Sequence, residues 1–491
     1  MRRPRMRYRA WQIMAAGIAL VTIRAPLPAQ QAADSVTLAQ AITEALDNSP
    51  VVRQARAAVT VADGQVREAW ATVMPDINAT ASYQRNFMVQ EAFLPSVIFD
   101  PTAGPDDLTK VKFGAENNWS AGVTVNQPLF QVDAFIGVGA AGRFRALQGE
   151  RARGTRQGVV TDVRQRYLAV LAARELVRLN EESVRRVRET LQDTQARYRA
   201  GLTSEYDVLR FRVQLANLEP GLRRSRDALA TAKRALLIAM GRDASGDIEV
   251  VGELQQIDVL TPASNTAENR ALIALSGPLL DSTAVDSLTA AAVADRSDVR
   301  QVELGISVEQ ARLKVERAQL FPKLSLFGAY NLTAQDPGSP SFFGGDSRYR
   351  TGAAWAGLRI ELPVFRGFRE YARMQQARAT IEQNRQQLAL ARAQTADQLR
   401  TLLAALGETR ERVQSETEAV SQARRGYQIA SAEYREGLGS QLQVTDAELA
   451  LRQSEYNYAQ AVYEHLIARS NLDAALGTVP QTADEVSAGG R

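Results

Sequence analysis

The residues in this 491-residue chain that could do chemistry are few. His465 is its only histidine, and there is no cysteine. That removes thiol nucleophiles, thiolate metal sites, disulfides and a lipidated N-terminal Cys. One His and no Cys exclude most metal, triad and thiol sites, and His465 falls on a core position of a helical repeat, where it reads as a packing residue. The adjacent acids Glu181-Glu182 lie on a charged helical stretch and need no active site. No glycine-rich phosphate loop is present, so nothing here couples to nucleotide hydrolysis. A different kind of position stands out: Asp207 and Asp446, each just beyond a turn that occurs twice. YRAGLTSEYDV (198–208) returns as YREGLGSQLQV (434–444), with Tyr, Gly, Leu, Ser and Val in the same places. In each, a Gly (Gly201, Gly437) followed by Leu202 or Leu438 suits the left-handed end of one helix, and Ser204 or Ser440 can N-cap the next. Carboxylates this close to a helix start are also favoured by its dipole.

The elements that carry these turns are duplicated as well. MPDINATASY (74–83) answers to FPKLSLFGAY (321–330), WSAGVTVNQPLF (119–130) to WAGLRIELPVF (355–365), and LLIAMG (236–241) to LDAALG (472–477). Each half therefore reads helix, strand, loop, strand, long helix, turn, helix. In the long helices Val163, Val170, Val177, Val184, Leu191 and Tyr198 are seven apart, as are Leu399, Leu406, Val413, Val420, Tyr427 and Tyr434. After each turn a second seam follows: Val208, Leu215, Leu222, Leu229, Leu236, and Val444, Leu451, Tyr458, His465, Leu472. A sustained seven-residue period specifies supercoiled helices with a narrow apolar stripe and wet outer faces, suited to walling a water-filled space. A helix from Val132 to Ala200 is roughly 100 Å long at about 1.5 Å per residue. Pro220-Gly221 predicts a kink or break in the first returning helix.

The strand segments are different. Ile77, Ala79, Ala81 and Tyr83 alternate with Asn78, Thr80, Ser82 and Gln84; Trp119, Ala121, Val123 and Val125 alternate with Ser120, Gly122, Thr124 and Asn126. In the second half Leu324, Leu326 and Tyr330 share one face, and Ala354, Ala356, Leu358, Ile360 and Leu362 alternate with Arg359 and Glu361. About ten residues with one apolar and one polar face fit a membrane barrel, lipid outside and water inside. Tyr83, Trp119, Tyr330 and Trp355 near strand ends are the candidate aromatic girdle. Long loops (87–118 and 333–348) join the paired strands, and the apolar run FLPSVIF in the first is not accounted for by this pattern.

The formal charge is +4, but residues 1–32 hold six Arg and no acid, which leaves about −2 elsewhere. A basic nucleic-acid-binding face is therefore not expected. MRRPRMRYRA, then the apolar WQIMAAGIALVTI, then APLPAQQA read as a secretory signal peptide over 1–32, cleaved near 29–32. No later stretch is apolar for long enough to form a spanning helix.

Four strands cannot close a barrel, and lipid does not tolerate an open sheet edge. Three copies of four strands give twelve, enough for a closed pore. The expected fold class is an α+β membrane protein: a trimeric twelve-stranded outer-membrane β-barrel continuous with a long α-helical coiled-coil barrel. The expected organisation is a first repeat over 33–241 (strands about 76–86 and 118–128, helices 131–200 and 203–240) and a linker over 242–290. A second repeat follows over 291–477 (strands about 323–333 and 350–363, helices 366–436 and 440–476), then a tail, 478–491.

In this order, ALDNSP, VMPDINATASY with LFPKLSLFGAY, NQPLF with ELPVF, and the two turns resemble the TolC-like outer-membrane efflux protein family over nearly the whole chain beyond the leader. The resemblance implies a homotrimeric channel-tunnel in outer-membrane lipid, without cofactors. Its helical barrel would reach across the periplasm to an adaptor protein and an inner-membrane pump of the RND or ABC type. It also implies that carboxylates ring the periplasmic aperture, where they would concentrate cations. Asp207 and Asp446 match such positions, Gln443 stands where a second acid is common, and Gly439 stands where a basic linking residue can occur. Tyr434 matches a tyrosine that helps hold the tips shut. Solvated helix-start acids remain the alternative reading for the two aspartates. Tyr198, Gly201, Leu202, Ser204, Gly437, Leu438 and Ser440 are then the adaptor-docking tips. Two other functions stay open: an exit duct for type I protein secretion, and a non-pore periplasmic adaptor or coiled-coil scaffold.

Overall fold

The structure, a computed structural model, describes residues 34–104, 106–273, 285–336, 350–482 and 485. The expected leader, most of the second loop and most of the tail lie outside the described residues. The chain runs β1 (Asp34–Val36), α1 (Leu38–Asn48), α2 (Pro50–Ala71), β2 (Asp76–Arg85), β3 (Glu91–Pro95), β4 (Leu108–Lys112), β5 (Asn117–Phe130), α3 (Val132–Arg199) and α4 (Glu205–Met240). It continues through β6 (Ile248–Val250), α5 (Ala267–Ile273), α6 (Val285–Asp295), α7 (Ser297–Ala318), β7 (Lys323–Asp336), β8 (Arg350–Glu361), α8 (Arg369–Arg435) and α9 (Gln441–Leu476).

At one end lies a four-stranded sheet in the order β2-β5-β7-β8. Every pair is antiparallel, so the edge strands β2 and β8 run in opposite directions. The two repeats meet along β5 and β7, where Val123 opposes Tyr330 and Asn118 opposes Gln335. Within the chain every residue of β2 is exposed. Such a sheet is a wall that needs an environment on both faces.

The strands lead into the shaft, where α3 spans 68 residues and α8 spans 67, each roughly 100 Å long. The heptad seams are the buried stripe: Val163 and Val170 on α3, Leu399 and Val413 on α8, Val444, Leu451 and Leu472 on α9. The largest apolar core sits near the middle of the shaft. There Ile42, Val160, Leu168, Leu171, Leu236, Met240, Ile257 and Leu466 pack together. Residues 34–36 and 248–250 form a small parallel sheet over it, pinned by the Tyr167 hydroxyl, which donates to the Val36 and Val251 carbonyls at 3.0 and 2.6 Å. Below it, buried Arg164 bonds Asp473 at 2.6 Å and the Ile273 carbonyl at 2.8 Å, tying α5 to the shaft.

Of the kink or break expected at Pro220-Gly221, the break does not occur: α4 runs without interruption from Glu205 to Met240 with Pro220 inside it. Proline removes one helical hydrogen bond, at a cost of about 3 kcal/mol. Leu215, Leu218 and Leu222 pack against Val184 and Val187 of α3 on either side of it, and this packing holds the helix through the gap.

Candidate functional site

The two turns close the far ends of the hairpins α3–α4 and α8–α9. Each long helix ends with a Gly in the left-handed region, Gly201 at φ +76 and Gly437 at φ +77. The Leu202 N–H returns to the Arg197 carbonyl and the Leu438 N–H to the Glu433 carbonyl, both at 2.9 Å. These are the bonds of a Schellman end, which needs a residue without a Cβ penalty at that φ. Ser204 accepts from the Asp207 N–H at 3.2 Å. Ser440 accepts from the Gln443 N–H at 3.3 Å, and Gln443 reaches back to the Ser440 N–H at 2.7 Å, completing a capping box. Tyr198, Leu202 and Leu438 are left exposed at the extremity.

The aperture candidates separate. Asp207 turns inward on its own helix start, accepting from the Thr203 and Ser204 hydroxyls at 2.8 and 2.9 Å. Gln443 is engaged in its cap, and Asp446 is exposed. Tyr434 is part-buried against Phe211, ring centres 6.0 Å apart. Its principal partner is Arg197, which donates to the Tyr434 carbonyl at 3.0 Å and places its guanidinium 5.7 Å from the ring centre. The Tyr434 hydroxyl lies 3.3 Å from that of Thr194. At Gly439 a Cβ would come within 3.1 to 3.2 Å of Glu433, Tyr434 and Gln443. The tip is packed too closely there for a larger residue without movement.

Above the tips lies a polar seam that the motif reading did not find. Glu448 and Glu455 of α9 are buried. Ser183 donates to Glu448 at 2.5 Å, and Arg186 reaches Glu455 at 3.2 Å and Glu448 at 3.6 Å. Gln214 of α4 contacts Glu448 at 3.4 Å. The signal was present: 444, 448, 451, 455, 458 alternate by four and three, so two Glu occupy core positions of a heptad. Alongside, a groove of about 620 Å³ between α4 and α9 is lined by Tyr206, Leu209, Val213, Gln441, Leu449 and Arg452.

His465 is buried with its Nδ1 3.1 Å from the Thr409 hydroxyl. Burial, then Arg410 and Arg469, push its pKa down to about 4. Among the described residues no cluster of potential metal ligands occurs.

At the other end, the register sorts the aromatics. Tyr83 opposes Trp119, with ring centres 5.1 Å apart, and Val123 opposes Tyr330, which opposes Ala354. These three aromatics share the apolar face. Trp355 opposes Ala329 and so lies on the other face with Asn331 and Arg359. The side-chain period of two in a strand leaves no other choice, which corrects the placement of Trp355 beside the other three.

A two-faced sheet with open edges, running into a helical shaft with capped tips, defines the class: an outer-membrane channel with a periplasmic helical tunnel. Among the described residues no helix is long and apolar enough to cross a membrane. A family model described as outer membrane efflux protein matches residues 41–242 and 288–478, and the chain belongs to that family. It is similar to the alkaline protease secretion protein AprF of Pseudomonas aeruginosa, 22% identical over 418 residues, covering 83% of this chain and 82% of AprF. It is 22% identical to the outer membrane protein TolC of Vibrio cholerae over 457 residues, 92% of this chain and 93% of TolC. Among solved structures, the open state of the MtrE outer membrane channel of Neisseria gonorrhoeae superposes with a TM-score of 0.68 at 16% identity, covering 91% and 90% of the two chains. The protein is an outer-membrane efflux channel.

Proposed function

We propose that three copies of this chain form a closed, passive exit duct for small molecules, driven by an inner-membrane pump through a periplasmic adaptor. The observation that carries this reading is the sheet: four strands whose opposed edge strands, β2 and β8, are exposed on both faces. Pairing β2 of one copy with β8 of the next continues the antiparallel order, and twelve strands leave no edge. The apolar face (Ile77, Val123, Tyr330, Leu358, Ile360) then meets lipid, and the polar face (Thr80, Ser120, Asn331, Arg359) lines water. The tips are the entrance. Tyr198, Gly201, Leu202, Ser204, Gly437, Leu438 and Ser440 form the surface an adaptor hairpin reaches, and the groove between α4 and α9 extends it. Asp446, exposed beside the tip, contributes charge to the aperture, while Asp207 serves first as a cap. Deleting the gene and assaying drug susceptibility together with detergent-extracted trimer tests the reading. Unchanged susceptibility to every pump substrate overturns it.

The likeness to a protein named for protease secretion favours one alternative, an exit duct for polypeptide. Loss of a secreted protein from the medium of the deletion strain, with susceptibility unchanged, would select it.

A further inference from the structure

The apolar stretch left over from the sequence forms an arm on the outer end of the sheet. The β2–β5 ribbon does not stop at its last sheet pair, Arg85 with Asn117. The Asn86 N–H bonds the Glu116 carbonyl at 2.7 Å and the Phe113 N–H bonds the Gln90 carbonyl at 2.8 Å, and β3–β4 resume with Glu91 opposite Lys112. Three residues, 87–89, thus oppose two, 114 and 115: a bulge, with Gly114 at φ +116. Phe87 and Met88 in the bulge are 95% and 92% exposed, and Phe93, Val97, Ile98, Phe99, Leu108 and Phe113 are exposed as well. So many large apolar side chains left uncovered on one short arm mark a surface that needs a cover.

We infer that this arm is an interface between copies of the chain, seated on the neighbouring copy at the rim of the barrel. The inference rests on the trimer reading above. Hydrocarbon does not suit the arm, because Glu91, Lys110 and Lys112 share its strands with Phe93 and Leu108, and charges facing lipid are unfavourable. Glu91 and Lys110 are paired with each other. Aromatics and Met around a satisfied ion pair are the composition of a protein interface core. The neighbour is also where it must be: β3 is the direct continuation of β2, the edge on which the next copy has to pair, so the chain that closes the barrel passes beside the arm.

Photocrosslinking tests this. Benzoylphenylalanine is placed in the full chain as Phe93→benzoylphenylalanine or, separately, Phe99→benzoylphenylalanine, and outer membranes are irradiated. The expected product is a covalent chain–chain band, at two or three chain masses, that survives boiling. An intact unboiled trimer giving only lipopolysaccharide adducts, or no adduct at either position, overturns the inference while leaving the trimer standing. Absence of a trimer before irradiation overturns both. As a second readout, Phe93→Glu combined with Phe99→Glu is expected to lower the trimer dissociation temperature by several degrees, and an unchanged temperature contradicts the interface.

Discussion

Arg197, on the last turn of α3, donates to the backbone carbonyl of Tyr434 on the last turn of α8 at 3.0 Å and stacks toward its ring. The guanidinium satisfies the helix end of one hairpin from the other. A movement that separates the two hairpins must break this contact, so it acts as a link between them.

Arg197→Ala is therefore expected to shift the tips toward the separated state. A hydrogen bond to a charged donor contributes about 1.5–3 kcal/mol, or roughly a ten- to hundredfold change in the closed-to-open ratio. Single-channel conductance in planar bilayers should show longer or larger openings, with Arg197→Lys intermediate. Wild-type conductance in the alanine variant would remove Arg197 from this role.

Glu448→Ala should destabilise the protein by about 1–3 kcal/mol, because it leaves the buried Ser183 hydroxyl without its acceptor and removes one of the two buried carboxylates beside Arg186, which keeps Glu455. Glu448→Gln keeps the shape and should lose less. Thermal unfolding of the purified protein followed by circular dichroism orders the three; equal midpoints would contradict the buried seam.

Most of this architecture was legible, and the reasons are physical. A period of seven in α3, α4, α8 and α9 and a period of two in β2, β5, β7 and β8 are geometric necessities that leave a mark on the sequence. The duplication states each twice. Arg197 and Arg186 left no such mark: an Arg on a charged helix looks the same whether it meets water or another helix, and only the third dimension brings 197 to 434. Glu448 and Glu455 did leave a mark, as acids on a core stripe. The break allowed for at Pro220 is absent because packing along the whole hairpin outweighs the local penalty. Asp207 shows that position alone does not fix a role, since the same carboxylate can cap a helix or face an aperture.

His465 sets a pH dependence. Its folded pKa of about 4 lies below the ordinary value of 6.5, so between these values the unfolded chain takes up a proton that the native state refuses. Stability contributed by the neutral imidazole is full above pH 6.5 and is lost as pH falls toward 4, by up to about 3 kcal/mol. His465→Asn should lack this component. Denaturation midpoints measured from pH 7.5 to 4 are expected to fall less steeply in the variant; parallel curves would contradict the burial account.

The sheet faces can be told apart by fluorescence. Trp119 lies on the apolar face and Trp355 on the polar one. In variants keeping one of these two, with Trp11 and Trp70 both changed to Phe, brominated lipid should quench Trp119 and spare Trp355. Aqueous acrylamide should do the reverse. Quenching of both by lipid would mean that the sheet is not a wall between lipid and water.

The central claim is that the open sheet closes only as an assembly of three in the outer membrane. The most direct test is to extract the full chain from outer membranes in detergent, determine the particle mass by light scattering and image its outline. The expected particle has three chains, a short barrel and a tapered shaft of roughly 100 Å. A monomer or dimer released with the periplasmic contents would contradict the account, because β2 and β8 would then lack the partner strands that a membrane requires.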